Sequence, residues 1–184
     1  MKRLALALVP LFVAAAAFAD TGFQFAVPNA NLPRDPNVRG VRLSFLRGEN
    51  QSTRGVDFGI LSLSETSHAS GVAFIGGVHH VKQDMSGGAA FSLVNYHSGR
   101  DSGMNGGFIN VLNDTSGAFN LGFITYAEGA TLVDLGGINI SKSSTAQIGF
   151  LNMTKHLKSF QFGFLNMAEN GFLPIFPVFN FPKN

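Results

Sequence analysis

Apolar and polar positions along this chain alternate in short runs that return with almost the same wording. In SFQFGFLNM, Phe160, Phe162 and Phe164 alternate with Gln161 and Gly163, the period of two expected of a β-strand. The phrase QIGFLNM at 147–153 returns as QFGFLNM at 161–167, with Gly149 and Gly163 fourteen residues apart. Taking those glycines as a reference column, the pattern extends back through Gly136, Gly122, Gly107, Ser92, Gly76, Gly59 and Ser44, and forward to Pro177. Successive spacings are 15, 17, 16, 15, 15, 14, 13, 14 and 14, which makes ten units of one design.

Other columns keep the same register. The position two after the small residue is apolar in every unit, from Leu46 to Phe179. The position three after it is polar throughout and is asparagine six times: Asn95, Asn110, Asn139, Asn152, Asn166 and Asn180. Between the runs lie ENQST, SETSHAS, HSGRDS, NDTS and SKSS, clusters of the kind that end strands. Frequent glycine and phenylalanines at alternate positions argue against helix.

The fold class expected is all-β, built of short strands with a period of 13–17 residues. A β-solenoid is favoured over an up-and-down β-barrel. Stacking equal positions explains why a small, an aliphatic and an asparagine column are each maintained. Adjacent apolar residues such as Phe150-Leu151 suit a bend at a coil corner. Pro174 and Pro177 suit an end strand with one free edge better than a strand closing a barrel. A small outer-membrane barrel is the alternative. The alternating phenylalanines are read as core.

Residues 1–19 read as an export signal: Lys2 and Arg3, an apolar stretch, then Ala17-Phe18-Ala19. Cleavage before Asp20 would leave 165 residues with 11 basic and 11 acidic side chains. That balance gives no electrostatic basis for binding nucleic acid. The chain has no cysteine, which excludes disulfides and a lipidated cysteine. The expected organisation is a lead-in at 20–39, repeats at 40–171 and a Phe/Pro-rich cap at 172–184.

GFLNMTKHLKSFQFGFLNMAENGFLPIFPVFNF resembles the C-terminal part of uncharacterised bacterial surface-repeat proteins. Their repeats read G-x-Q-x-G-x-x-N and their tail G-F-x-P-x-F-P-x-F-N-F. Gln147, Gly149 and Asn152, then Gln161, Gly163 and Asn166, carry the likeness, which covers about the last fifty residues and is diffuse upstream. It implies an exported or surface protein of the cell envelope. Some relatives carry a polyhydroxyalkanoate-synthase label. That chemistry needs a nucleophile elbow, and this chain has neither cysteine nor G-x-S-x-G.

The candidate metal feature is His79-His80, with His68, Asp84 and His97 nearby. Neighbouring strand residues point to opposite faces, so this pair needs a bend to chelate one ion. Asp57 and Asp134 lie inside strands, in a column shared with Arg42, Asn105, Asn120, Gln147 and Gln161, and read as scaffold. No catalytic residue and no cofactor is assigned. The leading expectation is a non-enzymatic exported scaffold in the periplasm, outer membrane or cell surface. Its partner would be a protein, a glycan or another copy of itself. An enzyme seated in the irregular 68–101 region stands third.

Overall fold

The computed structural model describes residues 20–183, and the expected export signal lies outside them. The chain is a β-solenoid with no helix among those residues. Its strands are β1 (Thr21–Val27), β2 (Ala30–Leu32), β3 (Asn37–Met85), β4 (Ala89–Asp101), β5 (Met104–Ala168) and β6 (Ile175–Asn180). β3 and β5 are long because the backbone keeps pairing as it turns each corner.

Stacking is parallel from β1 through β3 and β4 to β5. Ser92 lies opposite Gly107, Val94 opposite Ile109 and Asn95 opposite Asn110, so one sequence unit makes one full coil. An up-and-down barrel would pair neighbours antiparallel, and that alternative is thereby set aside. At 147–154 the inward positions are Gln147, Asn152 and Thr154, and the alternation slips by one at Phe150-Leu151. That slip is the corner. At the equivalent corner of two earlier coils, Leu46 and Leu61 take positive φ of 63° and 47°.

Four features depart from the sequence reading. The stack starts before residue 40, since Gln24 pairs with Arg42 and Ala26 with Ser44. In the 72–85 coil Ile75, not Gly76, lies opposite Ser92, because an irregularity between Ile75 and Val78 absorbs the extra residue. Asn180 does not extend the asparagine column. β6 runs back antiparallel, so Asn180 faces Gln161 while Phe176 faces Asn166. The phenylalanines, finally, are not the core: Phe150 and Phe164 are 65% and 68% exposed. A coil of about fifteen residues is too narrow inside to hold rings from every side, so the bulky set of each alternating pair faces out.

The interior is polar, with 30 polar or charged residues buried against 13 apolar ones among the described residues. Apolar interior is confined to patches such as Ala73, Ile75, Val81, Met85 and Ala90. Elsewhere, buried amides must find partners, since an unpaired one costs about 1–3 kcal/mol. Asn152 Nδ2 donates to Asn166 Oδ1 at 2.8 Å and to Phe162 O at 3.0 Å, each in the next coil. Asn139 does the same toward Asn152 and Ile148 O, and Asn95 toward Asn110 and Gly106 O. Thr125 interrupts this ladder and leaves Asn139 Oδ1 without a partner.

A second interior column ends on one carboxylate from both directions. Asn105 donates to Asn120, and Asn120 to Asp134 Oδ1 at 2.8 Å. From the other side Gln161 donates to Gln147, and Gln147 to Asp134 Oδ2 at 3.2 Å. Thr131 and Ser144 also donate to Asp134. A carboxylate, which only accepts, fits where two oppositely directed donor chains meet.

Glycine sets how closely coils approach. A Cβ on Gly163 would sit 1.8 Å from Gly149 O, and one on Gly136 1.6 Å from Gly122 O. Four residues before the small column, Gly40, Gly55 and Gly71 form a second such ladder, with φ of 154°, 134° and 124° and each hypothetical Cβ within 2.1 Å of the previous glycine's carbonyl oxygen. Only glycine adopts that backbone routinely.

Two substitutions test the ladders in opposite directions by urea denaturation. Thr125→Asn, of similar volume, supplies the donor that Asn139 lacks and should raise stability by about 1 kcal/mol. Asp134→Asn turns an N–H toward incoming donors and should lower it by about 1–3 kcal/mol. Unchanged stability in both variants would contradict the ladder account.

Candidate functional site

The outward positions either side of the small residue build an apolar wall. One column carries Phe58, Phe74 and Phe91, and after Gly106 continues through Leu121, Ile148 and Phe162. The column across the small residue carries Phe45, Ile60, Leu93, Phe108, Phe123, Phe150 and Phe164, and neither column contains a charged residue. Parallel stacking places rings over rings. Phe58–Phe74 centroids are 5.4 Å apart, Phe74–Phe91 5.5 Å, Phe108–Phe123 5.1 Å and Phe150–Phe164 4.8 Å, all near-parallel. Offset stacking of this kind contributes about 0.5–1.5 kcal/mol per pair.

The wall stays level at two of the three positions that lack a side chain; the third, Gly76, lies outward in the coil between Ile60 and Leu93 with no ring over it. A Cβ on Gly106 would meet the Phe91 ring at 2.6 Å, and one on Gly137 the Phe123 ring at 3.1 Å. At each of these positions the neighbouring phenylalanine leans over the glycine. Both terminal strands continue the surface: Leu32 of β2 lies opposite Phe25, and Phe179 of β6 opposite Phe162. Leu32 and Phe179 are 59% and 43% exposed.

Charge is gathered on other faces. Arg47 pairs with Glu49 and Glu65, and Lys82 with the same two carboxylates, a mixed-sign network beside the wall. His80 belongs to this outer group, with Nε2 3.0 Å from Ser98 Oγ and Nδ1 3.6 Å from Glu65. Partial burial lowers its pKa, opposed by Glu65.

His79 points the other way, into the interior, and is 2% exposed. The two candidate metal ligands therefore lie on opposite sides of one sheet. Among the described residues no group of three or more His, Asp or Glu is placed to hold a metal ion. His79 instead joins a buried chain that the sequence reading did not assemble: His97 Nε2 lies 3.4 Å from His79 Nδ1, and His97 Nδ1 2.5 Å from Asp101 Oδ2. Asp101 also accepts from Gly103 N at 2.7 Å and Asn105 Nδ2 at 2.8 Å. The signal is the eighteen-residue separation of His79 and His97, two more than the 16-residue register of their coils, and it is legible only once coil stacking is known. On the surface, His68 pairs with Asp84.

A cavity of about 20 Å³ beside this chain is lined by Asp57, Thr66, Ala73, His79 and Met85, among others. That is room for one water and not for a substrate. Asp57 is held by Arg42 Nη1 at 3.1 Å and Ser64 Oγ at 2.7 Å, all three buried. The wall is thus the extended exposed feature, and the histidine chain is internal. Comparison with family models, curated proteins and solved structures returns no match.

Burial pushes the His79 pKa well below its ordinary 6.5, helped by neighbouring His97 and Arg42. The unfolded chain then binds a proton that the folded chain refuses, so the contribution of His79 to stability should fall as pH drops below 6.5, opposed by the raised carboxyls of Asp57 and Asp134. The slope from one such group is at most about 1.4 kcal/mol per pH unit. His79→Asn, which fits the amide column, should reduce that loss between pH 7 and 5. An equally steep loss in the variant, read from urea midpoints, would show that His79 is not its source.

Proposed function

We propose that this chain is an exported, non-enzymatic scaffold that presents one flat, uncharged apolar wall as its contact surface. The observation that carries the reading is the pair of outward columns, free of charge across every coil, beside a polar interior. Monomeric proteins seldom leave so large an apolar patch bare, and such patches mark contact sites. The resemblance to bacterial surface-repeat proteins and the signal-like residues 1–19 support a place in the cell envelope.

The character of the wall favours an apolar partner over a glycan. Sugar recognition uses rings together with hydrogen-bonding groups, and here the polar side chains of each strand turn inward, where neighbouring coils hold many of them. Mechanism is geometric on this reading. The coil stack fixes rings at strand spacing on a rigid sheet, so the surface meets its partner preorganised and at small entropic cost.

In its native cells the chain should be recovered from the cell envelope, cleaved after Ala19. A Phe108→Ser, Phe123→Ser, Phe150→Ser variant should be exported and folded yet lose the wall's partner in chemical crosslinking of intact cells. Uncleaved protein in the cytoplasm, or a variant that crosslinks as the parent does, would contradict the proposal.

A further inference from the structure

Resting on the reading of the wall as a contact surface, we propose that its occupant is a second copy of this chain, packed wall to wall about a two-fold axis. Area is the first argument. The exposed column runs from Leu32 through Phe25 and the coils to Phe179. Twelve rows at ~4.8 Å spacing give a length of about 50 Å, and four residues along each strand give a width of about 13 Å. Two such faces would bury on the order of 1,300 Å² together, within the roughly 1,200–2,000 Å² of stable interfaces.

Shape and charge agree. A wall levelled by rings leaning over Gly106 and Gly137, with one notch at Gly76, matches another sheet face, and sheets pack face to face about 10 Å apart. With no charge on either face, two copies meet without repulsion. A lipid surface would be favoured by a basic rim, whereas the neighbouring network pairs Arg47 and Lys82 with Glu49 and Glu65.

The ends of the solenoid carry an independent argument. Parallel stacks are open to end-to-end growth through their free strand edges. Here both ends are closed by a strand that runs back antiparallel, β2 on β1 and β6 on β5. Proline follows each closure: Pro33 and Pro36 after β2, Pro177 within β6 and Pro182 after it. Growth along the axis is blocked while the side remains open, so association closes at two copies.

Residues near a two-fold axis meet their own copies, and the absence of cysteine makes that testable on the mature chain, residues 20–184. Phe108, 57% exposed, stands near the middle row. Phe108→Cys should form a disulfide-linked dimer under mild oxidation, while Asp114→Cys, outside the wall columns, should not. Light scattering should give twice the chain mass for the parent. A folded Phe123→Glu, Phe150→Glu variant, checked by circular dichroism, should give the monomer mass.

A parent that is monomeric at tens of micromolar would overturn the dimer, as would a double variant that stays dimeric. If that monomer binds neutral phosphatidylcholine vesicles through the wall, the contact-surface reading survives with a lipid occupant. If it binds neither itself nor vesicles, that reading loses its support as well.

Discussion

A side-chain amide shut inside a narrow coil has to find acceptors for its N–H groups and a donor for its oxygen within one strand spacing, and this requirement organises the molecule. Asparagine three positions after the small residue meets it by repetition, because its oxygen accepts from the coil before and its nitrogen donates to the coil after. The same nitrogen reaches a main-chain carbonyl of the next coil, as Asn95, Asn139 and Asn152 each do. Such a chain works only while the coils stay in parallel register and close together. The glycine ladders, at which a Cβ would strike the neighbouring carbonyl, set that closeness. Where an amide is replaced, at Thr125, an unsatisfied oxygen appears one coil later.

A polar interior forces the apolar residues outward, and the wall follows from that. In an ordinary sheet protein the apolar face of each strand turns to the core. Here the inner side of the coil is occupied by Asn, Gln, Ser and Thr, and rings stack along the outside at 4.8–5.5 Å. Stability then comes from backbone pairing, buried amide chains and exposed aromatic columns more than from a buried apolar mass. The surface left to partners is uncharged and regular, and it is held rigid by the same stacking.

The coil, its period and the asparagine rungs were legible in the sequence because stacking equal positions is the only arrangement that rewards equal columns. The corner at Phe150-Leu151 was legible too, as two outward residues in succession. Which side of the alternation faced in was not. Period two separates two faces without naming them, and hydrophobicity alone points the phenylalanines inward. Spacing puts Gly76 in the column, whereas the structure shifts the register so that Ile75 takes that place. Asn180 keeps the right spacing but belongs to a reversed strand, a difference of chain direction that spacing cannot express. The glycines at 40, 55 and 71 also stand in the sequence, four positions before the small column at spacings of 15 and 16. His79 and His97 come together only through coil stacking, eighteen residues apart in the chain.

The inside-out arrangement is tested most directly by hydrogen exchange of side-chain amides, followed by NMR on the folded chain. The Nδ2 protons of Asn139, Asn152 and Asn166 should exchange orders of magnitude more slowly than those of a solvent-exposed asparagine. Exchange at the rate of a free asparagine would mean that these amides face water, and the polar interior, with the wall it implies, would be wrong.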